Sequence, residues 1–279
     1  MIELPWTRQP PGVVQLDTRH SLYKGLRFFV YFPGVALEAV TGSIGVLNGA
    51  GYVSNNLTTV RGGGRSAALA SATSDFYEFP ANPNYNITES ITLAWRGQIN
   101  TGSAFRHFAG KHLSNGAADN PFDFRTDNAA NPVPTVVRAN ATTSRSIFPS
   151  GLAIPLAIPA TVEFKQGPLI SNDGIFYVNG IREAVPGSAP TTATTTNTAT
   201  LRVGRRADGS VQMDGYTQYI AGWARELTEA ELISFRANPW QLFEPRRIYV
   251  RVVSAPAGLS ANPVRGGVAA INPIWGMVA

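Results

Sequence analysis

The sequence predicts an all-β protein: a two-sheet antiparallel jelly-roll sandwich with one short helix near the C-terminal end and extended terminal arms. Three observations carry the prediction. Short runs alternate between apolar and polar residues with period two, as half-buried strands do. Turn signals recur about every ten residues, the spacing of a sandwich or barrel. A single stretch, 228–237, carries the start signal of a helix.

The elements follow in chain order. Residues 1–21 hold Pro5, Pro10 and Pro11; proline removes a ladder donor and biases its predecessor to extended geometry, so this segment reads as an arm lying along another surface. The domain proper spans 22–245 and opens with a strand in 22–33, where Leu26, Phe28, Val30 and Phe32 alternate with Arg27, Phe29 and Tyr31. Small residues and the Asn48-Gly49 turn give short strands and tight loops over 42–72. Strands follow at 75–80 and, past the loop Asn82-Pro83-Asn84, at 91–99, with Leu93, Trp95, Gly97 and Ile99 on one parity. Shorter candidates are 105–111, 122–125, 135–138 and 146–148, divided by turns such as Asn115-Gly116 and Asn131-Pro132.

Segment 161–165 precedes the strongest hairpin, 174–178 with 181–185, whose Asn179-Gly180 pair supplies the positive φ angles of a type I′ turn. The Thr/Ala-rich stretch 191–200 lacks large side chains and reads as a surface loop entering strand 201–204. After strand 214–223 the period changes. Thr228 and Glu231 form a capping box and Leu227 can staple to Leu232, so a helix is expected over 228–237, stopped by Asn238-Pro239. Residues 246–279 hold a terminal strand at 247–253 and a C-terminal arm with the apolar residues Ile271, Ile274 and Trp275.

Composition narrows the function classes. With 279 residues, one domain plus short extensions fills the chain. The 27 glycines and 20 prolines suit short strands joined by many turns. The net charge of +5 comes from scattered Lys and Arg rather than the runs that track a phosphate backbone, which argues against nucleic acid. The absence of cysteine removes thiol chemistry. The start MIELPWTRQPPG lacks a signal-peptide pattern and no stretch has the roughly 18 apolar residues of a spanning helix, so a cytoplasmic origin and no membrane partner are expected.

A resemblance adds to this reading. The order of Phe176-Tyr177-Val178-Asn179-Gly180, Leu201-Arg202-Val203-Gly204, Asp214-Gly215, Ile220-Ala221-Gly222-Trp223 and Leu227-Thr228-Glu229-Ala230-Glu231-Leu232 resembles the second half of laminin G-like domains, of the concanavalin A-like lectin type, from bacteria and phages. Phe79 followed by Ile91-Thr92-Leu93-Ala94-Trp95 resembles that family's early strand pair. Pro5-Trp6 and Asn238-Pro239-Trp240-Gln241-Leu242-Phe243 are similar to jelly-roll proteins of phage and prophage structural regions. The resemblance implies a non-enzymatic virion structural protein, decorating a capsid or mounted on a tail, assembled in the host cytoplasm and forming a homo-oligomer with other virion proteins as partners. The alternative is a carbohydrate-binding module that adheres to host surface glycans.

Candidate site residues follow from these readings. Trp6, Ile271, Ile274 and Trp275 would anchor the arms to neighbouring proteins, and Tyr85, Tyr216 and Tyr219, near loops or strand ends, could stack on sugar rings. No catalytic residue is expected, because glycosidases on this fold need a Glu-x-Asp-x-x-Glu cluster of carboxylates about 5 Å apart, and Glu229 and Glu231 fit the first turn of a helix instead. The odd separation of His107 and His112 on a hairpin, with His20 distant, makes no metal site. Gly62-Gly63-Gly64-Arg65-Ser66 lacks the Gly-Lys pair of a phosphate loop. No cofactor is expected, although Asp119, Asn120, Asp123, Asp127 and Asn128, with Asp173 and Asp214 as rivals, offer oxygen ligands of the kind calcium takes.

Overall fold

The computed structural model describes residues 2–4, 9–10, 14–33, 35–48, 57–59, 65–102, 104–111, 121–127, 130–139, 145–168, 173–187, 196–207, 209 and 211–248. Its strands are β1 (Ile2–Leu4), β2 (Leu26–Tyr31), β3 (Ala36–Glu38), β4 (Ser43–Asn48), β5 (Leu57–Thr59), β6 (Arg65–Leu69), β7 (Phe76–Phe79), β8 (Ile91–Ile99) and β9 (His107–Lys111). There follow β10 (Asp123–Thr126), β11 (Pro134–Ala139), β12 (Arg145–Pro149), β13 (Ala160–Gln166), β14 (Asp173–Val178), β15 (Ile181–Pro186), β16 (Leu201–Val203), β17 (Gly215–Trp223) and β18 (Arg246–Ile248). One α-helix, α1 (Glu229–Ala237), lies near the C-terminal end. The predicted jelly-roll sandwich with one short helix is the observed fold.

An antiparallel path runs β12-β11-β10-β9-β16-β7-β4-β3-β2-β17-β8-β13-β14-β15. Strand β4 pairs β3 on one side and β7 on the other, and so carries the path from one layer to the next. At the far end Glu183 of β15 accepts hydrogen bonds from Ser150 Oγ (2.5 Å) and Gly151 N (2.7 Å) just beyond β12, which draws the two outer edges together. The hairpin of β14 and β15 turns on Asn179 (φ 50°) and Gly180 (φ 85°), the left-handed pair that the sequence supplies.

Between the layers lies the main core. Trp95 stacks on Phe108 at 4.3 Å and donates its indole N–H to Thr217 Oγ1 at 3.1 Å, so its one polar atom is satisfied without water. Strand β2 explains why a second core exists. Phe28 and Val30 face the first cluster, whereas Phe29 and Tyr31 face a second one on the opposite side of the same sheet. That outer cluster holds Tyr219 and Trp223 of β17, Leu232 and Phe235 of α1, and Trp240, Leu242 and Phe243 of the turn that follows the helix.

Residues 14–20, part of the predicted N-terminal arm, lie on this outer face of the domain itself. Val14 and Leu16 pack against it, Asp17 N donates to Leu242 O at 2.7 Å, and Glu244 N donates to Gln15 O at 2.9 Å. Further out, β1 pairs antiparallel with β18, so the predicted terminal strand exists at 246–248 with the N-terminus as its partner. The rest of the predicted 247–253 strand lies outside the described residues.

Three polar devices seat the helix. Thr228 Oγ1 accepts from Glu231 N (3.2 Å) while Glu231 Oε2 accepts from Thr228 N (2.9 Å), the predicted capping box. Arg225 clamps the same Glu231 with two bonds of 2.8 and 2.7 Å. Arg236 in the last turn holds buried Glu163 of β13 at 2.9 and 3.1 Å. Thr228→Ala is expected to lower stability by about 1 kcal/mol, read as a lower Tm in a thermal melt. The hydrogen bond from Arg225 depresses the Glu231 carboxyl to about 2, so its contribution to stability is complete above the ordinary carboxyl range and is lost as pH falls through about 2. Acid titration followed by circular dichroism should show Glu231→Gln losing that part of the acid transition.

Candidate functional site

The connection from β7 to β8 crosses one end of the sandwich as segment 80–90. It contains a short 3-10 turn, Pro83–Tyr85, capped by Asn82, whose side-chain oxygen accepts from Asn84 N at 2.9 Å. Such a segment lacks ladder hydrogen bonds, so its carbonyls need other donors. Two buried cations provide them. Lys111, the last residue of β9, donates from Nζ to Asn197 O (2.7 Å), Asn86 Oδ1 (2.8 Å) and Asn82 O (3.4 Å). Arg138 of β11 donates to Glu89 O (2.6 Å), Ile87 O (2.8 Å) and Gln166 Oε1 (2.9 Å). Lys111 and Arg138 are each 1% exposed.

Burial pushes the Lys111 ammonium down to about 8, and its partners among the described residues are carbonyl and amide oxygens rather than a carboxylate. Burial likewise lowers the Arg138 guanidinium, which stays charged at neutral pH. Asn197, in the segment leading into β16, completes the arrangement: its N–H donates to Asn86 Oδ1 (3.1 Å) and its Nδ2 donates to Lys111 O (3.3 Å).

Around this ammonium opens a cleft of about 410 Å³, lined by 81–83, Asn86, Lys111 and 196–198. The side-chain amides of Asn82 and Asn86 and the hydroxyls of Thr196 and Thr198 make no donated hydrogen bond among the described residues. The cleft thus combines uncommitted neutral donors and hydroxyls with a cation whose three N–H bonds are already engaged. A second, wider groove of about 860 Å³ lies beside 18–24 and the start of α1. Its Arg225 is spent on Glu231 and on the carbonyls of Lys24 (2.6 Å) and Ser21 (3.2 Å), which makes it a joint between the N-terminal segment and the helix.

The aromatic candidates divide. Tyr85 is fully buried, its hydroxyl donating to Glu38 Oε2 at 3.3 Å and its ring set edge-on to Phe28, so it cannot stack on a sugar. Tyr219 is equally closed off. The register of β17 against β8 slips between Thr217 and Tyr219, leaving Gln218 as an extra residue and placing Tyr219 beneath α1 against Phe29, Phe235 and Trp240. Tyr216 alone of the three keeps a half-buried side chain. The arm anchors Trp6, Ile271, Ile274 and Trp275 lie outside the described residues.

Of the oxygen-ligand candidates, Asp119, Asn120 and Asn128 also lie outside them, as does His112. Buried Asp123 sits 3.3 Å from His107 Nε2 and 3.3 Å from Arg125 Nη1, and Asp127 Oδ1 accepts from Val133 N at 3.0 Å to close its own loop. Asp214 accepts from Thr101 Oγ1 at 2.5 Å, while Asp173 stands exposed at the start of β14. Among the described residues no three His, Asp or Glu side chains gather as metal ligands. His20 instead accepts from Leu22 N.

No family model matches the chain, and no curated protein matches it. Solved structures do share the fold. Domain 4 of AbnA, a GH43 extracellular arabinanase from Geobacillus stearothermophilus, in complex with arabinotriose, superposes with a TM-score of 0.55 and 11% identity over 75% of this chain and 97% of that one. The binding domain of botulinum neurotoxin DC in complex with SialylT gives 0.54 and 12% over 78% and 52%. The binding domain of Paraclostridial Mosquitocidal Protein 1 gives 0.55 and 12% over 76% and 51%. The chain therefore spans about half the length of these toxin domains, and the likeness is one of fold.

Sequence reading missed Lys111, Arg138, Asn86 and Asn197. A lysine and an arginine ending or lining strands carry no mark of burial, and Asn197 hides in a stretch read as surface loop although it is 9% exposed. Arg138→Ala is expected to destabilise the protein by about 3 kcal/mol, since it strands several buried carbonyls at once; chemical denaturation would measure it.

Proposed function

We propose that this chain is a non-enzymatic glycan-binding module whose ligand lies in the cleft between 81–86 and 196–198. One observation carries the reading: the cleft presents neutral amides and hydroxyls on segments whose backbone carbonyls, with the Asn86 side chain, are held by two buried cations. Sugar hydroxyls both donate and accept, and a pre-formed cleft with a few fixed polar groups is the usual setting for a small polar ligand. Support also comes from the fold, which is shared with an arabinanase domain solved with arabinotriose and with a toxin binding domain solved with SialylT.

A second reading, a virion component, draws on the pairing of β1 with β18. That pairing brings the N-terminal strand beside the start of the C-terminal segment, so residues 5–13 and 249–279, which carry Trp6, Ile271, Ile274 and Trp275, would offer one attachment point to a neighbouring protein. In this reading the module adheres to host glycans from the particle surface.

The experiment is a glycan array followed by calorimetry on the best oligosaccharide. Thr198→Trp, which fills the cleft from an exposed position, should weaken binding by about tenfold or more while leaving the Tm unchanged. Equal affinity in the variant would remove the ligand from this cleft. No hydrolysis of the bound oligosaccharide is expected, as read by released reducing ends.

A further inference from the structure

The ammonium of Lys111 is placed as a bound metal ion would be. Its three acceptors are two backbone carbonyls, of Asn82 and Asn197, and one amide oxygen, of Asn86. Carbonyl and amide oxygens converging on one point are the donor set with which proteins hold hard cations. Here the ammonium has three donors for three acceptors, so the set is matched one for one. The oxygens belong to segments far apart in sequence, 82–86 and 197, and the charge at the centre ties them into a single cleft.

The irregular segments on either side leave carbonyls without ladder donors, and the ammonium meets them. The side chain is 1% exposed, so burial disfavours its charged form, and the three oxygens around it offset that cost. A buried cation met by neutral oxygens and, among the described residues, by no carboxylate departs from the usual pairing of buried charges, as functional positions do.

We propose that Lys111 is a built-in cation standing where a bound metal ion would otherwise order the loops of the cleft. Its oxygen cage takes a free monovalent cation, potassium or ammonium, once the side chain is truncated. A second clause rests on the glycan-binding reading above: ligand capture in this cleft proceeds without calcium, because the position that orders its walls is already filled by a covalently tethered charge.

The test uses the full chain and three salts at equal ionic strength: potassium chloride, ammonium chloride and choline chloride, whose cation is too large for the cage. Wild type should melt at the same temperature in all three. Lys111→Ala should melt lower in choline chloride and regain about half of the loss in potassium or ammonium. Lys111→Met, whose apolar chain fills the space, should be lowered equally in every salt. A folded Lys111→Ala protein that melts identically in the three salts overturns the cage.

Should that variant fail to fold, nitrogen-15 spectra of the wild type decide. A Lys111 Nζ signal with protons protected from solvent is expected, and one exchanging as fast as the surface lysines overturns the proposal. For the second clause, glycan binding by wild type should be unchanged by EDTA. Binding abolished by EDTA and restored by calcium sinks that clause, whereas failure to bind any glycan sinks the glycan reading and leaves the salt result standing.

Discussion

A sheet that is apolar on both faces has to be covered twice, and much of this molecule is a response to that demand. In β2 the odd and even residues are alike hydrophobic: Phe28 and Val30 point to one cluster, Phe29 and Tyr31 to the other. Strand β17 repeats the pattern, with Ile220 on the inner side and Tyr219, Ala221 and Trp223 on the outer. The second layer of the sandwich covers the inner side. The outer side would expose a contiguous aromatic patch, so α1, the turn after it and residues 14–23 close over it. Burial of this patch ties chain segments more than two hundred residues apart, for Trp223 donates its indole N–H to Leu22 O at 2.7 Å.

The opposite problem arises at the cleft end, where the chain is polar and irregular. Segment 80–90 cannot satisfy its carbonyls through a ladder, and it has too few large apolar residues to be held by packing alone. Lys111 and Arg138 reach it from β9 and β11, two rigid strands, and together bind four of its oxygens. A flexible loop is thereby fixed by charges on the scaffold. Fixed polar groups are what recognition of a hydroxylated ligand requires, because each loop side chain left to wander would have to be ordered on binding.

How much of this could be read beforehand depended on whether the cause was local. Asn179-Gly180 and Thr228 with Glu231 were legible because a turn and a cap are decided by residues within four positions. The buried Trp95 was legible because it shares one parity with Leu93 and Ile99. Two of the three glycan candidates, Tyr85 and Tyr219, are closed off for non-local reasons. Tyr219 is carried beneath the helix by a one-residue register slip that no composition reveals, and Tyr85 is drawn inward by Glu38, forty-seven positions away. Lys111 and Asn197 meet across eighty-six positions, and only the assembled sheet makes a lysine and a threonine-rich loop into two sides of one cleft. Residues 14–20, read as part of an arm for another surface, lie on their own domain, because nearby prolines mark extended backbone and not what that backbone packs against.

The assignment of the carboxylates bears on whether the cleft binds or cuts. A retaining glycosidase keeps two carboxyl groups about 5 Å apart, one of them protonated and open to the sugar. In this chain Glu38 accepts from Phe29 N, Val40 N, Thr41 and Tyr85 and is fully buried. Glu163 is held by Arg236, Glu183 closes the seam of the sandwich, Glu229 accepts from Tyr177 and Glu231 is clamped by Arg225. Each is turned toward structural donors and none lines the cleft. The one titratable group among the described residues lining it is Lys111, and its three protons are committed to Asn82, Asn86 and Asn197. Among the described residues lining the cleft, the groups that could meet a ligand are amides, hydroxyls and an ammonium rather than carboxyls.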